Sequence, residues 1–385
     1  MFKSLRTVSF RNLADTDTDV SGTDVFLVGE NGQGKTNFLE ALYFCAYASS
    51  FRGVKDGDLA RMDLPEGTRD FSAATELCSP ESVINRTILV KYEKSRKSIV
   101  LDGKKIEDRR DLLETIPCVV FCHEDMEFVS GSQERRRWFF DQTQSLYDPV
   151  YLDDLRKYKR VLKTRNAILR DCRFGLSGRS AAEAVLDALD LQLAEYGLRL
   201  MEKRRKEAER FSAVFGALYG EVSGIDGIGV TYLSSWKESS RKQALPEPSA
   251  VAGYLAARRE VDISAGLTAK GPHRDRYLFI RNGPGETYRD GDFSGAASTG
   301  QRRLLALLLR VAQARCFSEN SGKTPVLLLD DVLLELDGEK RRRFLSVMPA
   351  YEQAFFTFLP EEPYKRYCRS DTLVYHVSDG VISES

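Results

Sequence analysis

The stretch GENGQGKTN, residues 29–37, follows the apolar run VFLV at 25–28 and precedes FLEALYFCAYASS at 38–50. Gly29-x-x-x-x-Gly34-Lys35-Thr36 has the spacing of a phosphate-binding loop. Glycines at these positions let backbone N–H groups curl around phosphate oxygens, the lysine reaches the terminal phosphates, and the threonine hydroxyl is offered to magnesium. The setting supports that reading. A short, wholly apolar run predicts a buried strand, the residues after the loop predict a helix, and the N-terminus of that helix adds its own attraction for anions. A plain glycine turn joining strand to helix is the competing explanation. It leaves the lysine and threonine unexplained.

A phosphate loop needs an acid to hold its magnesium. PVLLLDD, residues 325–331, is an apolar strand ending in two aspartates. Asp330 is placed on the metal with Thr36, and Asp331 is placed to position or deprotonate the attacking water. The alternative is a buried strand with a solvated acidic end. The distance in sequence between loop and acids is longer than a nucleoside kinase needs.

Composition sets broad limits. The chain has 385 residues, 42% hydrophobic and 30% charged, enough for a substantial core and two or three domains. Lys plus Arg equals Asp plus Glu at 57 each, so net charge argues neither for nor against nucleic acid, and DNA contact has to come from local basic patches. The seven cysteines include no C-x-x-C pair; Cys118 and Cys122 flank the run CVVFC and read as buried thiols of a reducing compartment. No window approaches the apolar length of a membrane span, and no signal-peptide pattern opens the chain, so a cytoplasmic location is expected.

The pattern changes twice along the chain. Residues 1–125 read as short strands around one helix, with a hairpin turn at Asp102-Gly103. Residues 126–255 read as long helices. Ser132 is expected to cap the first and Asp148-Pro149 to end it. Leu186, Leu189, Leu193, Tyr196 and Leu200 recur at spacings of 3 and 4, a coiled-coil-like stripe on a helix of roughly 40 residues. Residues 256–385 return to short strands, one apolar helix and the acidic strand, after a Pro- and Ser-rich junction at 244–253. The expectation is an α/β ATPase domain in two halves, 1–125 and 256–385, interrupted by a helical arm domain, 126–255.

STGQ at 298–301 opens the helix RRLLALLLRVAQ, about 30 residues before the acidic strand. Alone it is equally a serine helix cap. In this order and spacing it resembles the signature turn of ABC-type ATPases, which closes over a nucleotide held by a second subunit. FRNL (10–13), SFRGVKDGDL (50–59), FCHEDMEFVSGSQERRRWFFD (121–141), Arg165-Asn166, KGPHRD (270–275) and LLLDDVLLELD (327–337) extend the likeness almost from end to end. Together with the loop they resemble the RecF family, relatives of SMC heads without the long coiled coil.

The resemblance implies a fold and a function. The fold is an α/β P-loop ABC-type ATPase head with an inserted, mainly helical second domain. ATP and Mg2+ are the implied cofactors, held by Gly29, Glu30, Asn31, Gly32, Gln33, Gly34, Lys35, Thr36 and Asn37, with Lys35, Asp330 and Asp331 catalytic and Thr36 and Asp330 on the metal. Ser298, Gly300, Gln301 and Asp337 are implied to meet the nucleotide of a partner subunit. The activity implied is ATP-dependent dimerisation on DNA with slow, DNA-stimulated hydrolysis, serving recombinational gap repair, replication-fork maintenance, RecA loading and the SOS response. RecR and RecO are the implied partners.

Two positions depart from this pattern. Asp331 stands where ABC proteins usually carry glutamate, although RecF-like proteins also carry aspartate there. Arg276 stands where a second acid would follow KGPHRD, leaving that segment either a turn into a strand or a nucleotide contact. No histidine occurs in QAFFTF (353–358), where ABC proteins place a switch histidine.

Basic residues concentrate at Arg156, Lys157, Lys159, Arg160, Lys163 and Arg165, a stretch without acids and with apolar residues at helical spacing. Such a face makes sequence-independent, salt-sensitive phosphate contacts, suited to single-/double-strand junctions. Lys203-Arg204-Arg205-Lys206 lies among acids and reads as a solvated helix face. Two other functions stay in view: an SMC-like structural DNA tether, and a P-loop kinase in which STGQ is only a helix cap.

Overall fold

The computed structural model describes residues 1–65, 67–79, 82–108, 110–113, 115–176, 179–236, 246–281, 292–332 and 338–384. They form two compact units, one of residues 1–125 and 306–385, the other of residues 126–305.

The first unit holds two six-stranded sheets. One is antiparallel, in the order Thr16–Asp19, Phe2–Val8, Phe71–Ser79, Ser82–Glu93, Arg96–Leu101, Lys104–Ile106. Its last hairpin turns at Asp102 and Gly103, both with positive φ, as the Asp-Gly pair demands. The other sheet runs Val381–Glu384, Thr372–Ser378, Asp24–Val28, Gln353–Phe358, Val326–Leu329, Cys118–Phe121, parallel except at the first pair. Strands buried on both faces have no polar side to show, so Val25–Val28, Val326–Leu329 and Cys118–Phe121 are uninterrupted apolar runs, fully buried.

Helix Lys35–Tyr47 lies between the two sheets and is buried almost all round. Phe44 meets Phe10 and Phe71 on the antiparallel side. On the parallel side the Tyr47 hydroxyl donates to Cys118 O at 2.8 Å and accepts from Cys118 N–H at 2.7 Å. A helix apolar on every face needs such a two-sided site. Burial pushes the thiols of Cys45, Cys118 and Cys122 up from their usual range, as expected of packing cysteines.

The second unit is mainly helical. Ser132 caps helix Gln133–Ser145; Asp148 caps helix Pro149–Arg173 by accepting from Tyr151 N–H at 2.8 Å, with Pro149 in the first turn. Helix Arg179–Ser223 doubles back along it. Leu186 meets Leu169 and Cys172, while Leu193 and Leu200 join Tyr151, Leu155, Tyr158 and Val161. The 3,4 stripe is thus one side of an antiparallel helix hairpin within the unit.

The expected junction near residue 255 lies inside this unit. Strands Ile228–Leu233 and Arg276–Arg281 pair antiparallel, Leu233 opposite Arg276 and Ile228 opposite Arg281, which binds residues 256–305 to the helical block. A boundary inferred from a change in local pattern does not register pairing across more than 40 residues.

Candidate functional site

The loop after strand Asp24–Val28 wraps a cleft of about 240 Å³ lined by Glu30, Asn31, Gly32, Gly34, Lys35, Thr36, Asn37, Arg52 and Asp331. Gly32 and Gly34 hold φ of 80° and 117°, values that a side chain would strain. Gly29 is required by space: a Cβ there would collide with the Val377 carbonyl. Lys35 is buried, and its ammonium donates to the carbonyls of Gly29 at 2.6 Å and Glu30 at 3.1 Å, so it spans the loop from inside. Gln33 turns to the chain at 379–380, accepting from Asp379 N–H at its side chain (2.6 Å) and from Gly380 N–H at its carbonyl (2.9 Å).

The parallel sheet brings the acids to this loop. Strand Val326–Leu329 is separated from the loop strand by Gln353–Phe358 alone. Thr36 Oγ1 donates to Asp330 Oδ1 at 2.9 Å. Burial, and then the neighbouring Asp331 charge, push the Asp330 carboxyl up to about 7. A hydroxyl and a carboxylate beside a phosphate loop form an all-oxygen donor set, one that suits magnesium, which keeps waters and takes few protein ligands. Asp331 adopts φ 52° and is held by Thr357: its N–H donates to Thr357 Oγ1 at 2.7 Å, and that hydroxyl donates to Asp331 Oδ1 at 2.9 Å.

Supporting residues lie behind the loop. Asn12 Nδ2 donates to Gly32 O at 3.3 Å, and Asn37 Nδ2 donates to Asn12 Oδ1 at 2.7 Å. Buried Glu40 accepts from Arg11 Nε at 2.9 Å and lies 3.6 Å from Arg52, whose Nη1 donates to Asn37 Oδ1 at 3.1 Å. These contacts explain why FRNL and SFRG accompany the loop motif.

The DNA replication and repair protein RecF of Treponema pallidum (strain Nichols) is 39% identical to this chain over 385 residues, covering 98% of it and 99% of the relative. The chain belongs to the RecF family. Residues 1–382 match the family model for the RecF/RecN/SMC N-terminal domain. RecF of Clostridium perfringens (strain SM101 / Type A) is 30% identical, with 99% of each chain covered. Among solved structures, the recombination mediator protein RecF with ATP in the RecFOR pathway superimposes with a TM-score of 0.85 at 26% identity, covering 100% of this chain and 97% of that one. The Pyrococcus furiosus Smc head bound to the ScpA C-terminal domain, at TM-score 0.52 and 16% identity, shares the ABC-type head fold and covers 100% of this chain and 95% of that one.

Other residues expected from the RecF likeness fall elsewhere. Ser298, Gly300 and Gln301 lie in the second unit, at the start of helix Thr299–Ser321. Gln301 N–H donates to Ser298 Oγ at 3.3 Å and Ser298 N–H to Gln301 Oε1 at 2.8 Å, a reciprocal capping box. Ser298 and Gly300 are exposed. The cap reading of STGQ is therefore correct locally, and the cap sits at an exposed helix start. Asp337 lies outside the described residues.

Of the six residues expected to contact DNA, all on helix Pro149–Arg173, Lys157, Lys159, Arg160 and Lys163 are exposed and Arg156 is half-buried. Lys157 is already engaged, 3.8 Å from Asp153 and over the Tyr196 ring. Arg165 is a correction. It is fully buried, its guanidinium donating to Asp190 at 2.6 Å and to Asp262 and Thr268 at 2.8 Å, so it cannot reach DNA. At a helical 100° per residue it falls on the apolar side, in line with Tyr158, Val161 and Leu169. Arg204 corrects the solvated-face reading of 203–206 in the same way, since it is buried against Asp141 and Asp275.

Thr357, Asn12 and Arg52 went unread as site residues. For Thr357 the available signal was position: a polar residue near the end of an otherwise apolar strand, where a switch histidine was sought.

Proposed function

We propose that this protein is an ATP-dependent DNA-binding ATPase acting in recombinational gap repair. What supports the reading is a loop cleft lined by Lys35, Thr36 and Asp331, with Asp330 accepting a hydrogen bond from Thr36. ATP is held by the loop amides and Lys35, and Thr36 and Asp330 hold magnesium, which neutralises charge on the phosphates. Asp331, fixed by Thr357, orients the attacking water and accepts its proton. Aspartate, shorter in reach than the glutamate usual in ABC proteins, suits slow turnover, so the nucleotide acts chiefly to hold two copies together.

In that pairing, the helix N-terminus at Ser298–Gln301 of one copy meets the phosphates held by the other, using its first-turn N–H groups and the helix dipole. DNA is held by Lys159, Arg160 and Lys163, with Arg156 and Lys157 beside them, through phosphate contacts that are blind to sequence. RecR and RecO are the partners this reading assigns, with RecA loading on gapped DNA as the outcome and the cytoplasm as the location.

Sedimentation with ATP and without nucleotide tests the pairing on wild type and Ser298→Arg. The expected result is an ATP-dependent dimer that Ser298→Arg cannot form although it still binds ATP. A protein that binds ATP yet stays monomeric at every concentration, with DNA and without it, overturns the clamp and favours a single-subunit phosphotransferase.

A further inference from the structure

A second cleft, of about 320 Å³, lies in the helical unit where three sequence motifs meet. ERRRW contributes Glu134, Arg137 and Trp138, the basic helix contributes Tyr158 and Lys159, and KGPHRD contributes His273 and Arg274. The nucleotide site uses none of them.

The floor is rigid. Arg204 pairs with Asp141 at 2.8 Å and Asp275 at 3.1 Å, and Asp275 also accepts from Ser235 N–H at 2.8 Å. His273 is part of this scaffold. Its Nε2 lies 2.9 Å from Thr268 O and its Nδ1 2.7 Å from the Tyr158 hydroxyl, and burial holds its pKa down to about 4, so the ring is neutral and contributes no charge near pH 7. KGPHRD is thus a turn leading into strand Arg276–Arg281 that also carries Arg274 to the cleft.

The rim carries unspent charge. Among the described residues, Arg137, Lys159 and Arg274 have no carboxylate within ion-pair distance; Arg137 donates only to the Asp275 carbonyl, at 2.6 Å. Arg204 is shared by Asp141 and Asp275, so the cleft and its floor set Arg137, Lys159, Arg274 and Arg204 against Glu134, Asp141 and Asp275, a net positive charge with its free cations on the rim. Burial and the nearby Arg204 hold the Arg137 guanidinium below its ordinary range, a cost that an incoming anion relieves. Beside these cations, Trp138 is 38% exposed, with its ring stacked on Phe128 at 5.7 Å and 23° between planes. The indole is thus supported by Phe128, lines the cleft and keeps more than a third of its surface exposed.

We propose that this cleft is a single-strand subsite, taking a phosphate of an unpaired DNA strand against Arg137, Lys159 and Arg274 and stacking the adjoining base on Trp138. Cations alone would suit any polyanion. A supported, partly exposed indole beside them adds a flat apolar surface that a nucleobase uses and an acidic peptide does not. Lys159 also belongs to the basic helix face, so the subsite continues that phosphate track and gives a junction its unpaired end. The inference rests on the DNA-binding reading above.

Tryptophan emission of the full-length protein tests it, because only Trp138 and the buried Trp236 are present. The probes are a thymidine oligonucleotide of about 20 residues, a blunt hairpin duplex and polyglutamate. We expect the oligonucleotide to quench emission in wild type but not in Trp138→Phe, and polyglutamate to leave it unchanged. Arg137→Gln with Arg274→Gln should weaken single-strand binding about tenfold or more and spare duplex binding. Single-strand binding without quenching, equal quenching by polyglutamate, or undiminished single-strand affinity in the double variant overturns the subsite while the basic helix face stands. If neither oligonucleotide nor duplex binds, the DNA-binding reading falls, and the subsite with it.

Discussion

Thr36 Oγ1 lies 2.9 Å from Asp330 Oδ1, although the two residues are 294 positions apart. The contact joins the helix after the phosphate loop to the end of the acidic strand, and in doing so it aims two oxygen ligands at one point. Thr36→Val and Asp330→Asn should each lower ATP affinity more than tenfold in magnesium and change it little in EDTA, since the loop amides and Lys35 remain. Binding of a fluorescent ATP analogue under the two conditions measures this. Equal losses in EDTA would assign the pair to the shape of the loop.

Asp331 depends on Thr357 for its position. Its backbone is left-handed, and one hydroxyl secures both its N–H and its carboxylate. Removing that hydroxyl frees the carboxylate to rotate without emptying the nucleotide cleft. Thr357→Val should reduce ATP turnover by roughly 10- to 100-fold with nucleotide affinity nearly unchanged, and Thr357→Ser should restore most of it. Single-turnover hydrolysis separates this from a binding defect. A valine variant that turns over at the wild-type rate would remove Thr357 from the reaction.

The strand–loop–helix turn at Gly29–Thr36 and the buried apolar strands were legible because each depends on short-range pattern. A strand buried on both faces must be an apolar run, and a loop that cradles phosphate must spend glycines. Residues whose roles depend on distant partners were not legible. Arg165 reads as one more cation in a basic stretch until Asp190 and Asp262 are placed around it, and Thr357 reads as an ordinary strand threonine until the sheet order brings Asp331 beside it. The junction near residue 255 failed for the same reason, since a strand pair closes over it.

Arg165 and its exposed neighbours should therefore separate cleanly. Arg165→Ala leaves buried Asp262 without its cation and Asp190 with Arg259 alone, and should cost about 3–5 kcal/mol of stability in urea denaturation. Arg160→Gln with Lys163→Gln should leave stability within about 0.5 kcal/mol. On duplex DNA the same double variant should lower the salt slope by as much as about 2, one step for each lost phosphate contact. An unchanged slope would take this helix face out of the DNA footprint.

His273 gives the helical unit a dependence on pH. Burial, followed by the opposing charges of Arg274, Arg137 and Arg204, pushes its ring down to about 4 from an ordinary 6.5, while its bond to Thr268 O works the other way. The folded state therefore binds fewer protons than the unfolded chain between those values, and stability in this window rises with pH. The contribution is complete above about 6.5, declines as pH falls towards about 4, and amounts to as much as about 3 kcal/mol. His273→Gln cannot titrate, so the wild-type minus variant difference in unfolding free energy should shrink as pH is lowered from about 7.5 to about 5. Urea denaturation followed by the emission of Trp236, which shares a core cluster with Tyr158, reports on this unit directly. A difference that stays constant across that range would mean that the ring titrates in the folded protein as it does in the unfolded chain, and one that grows as pH falls would mean a protonated ring with both nitrogens donating.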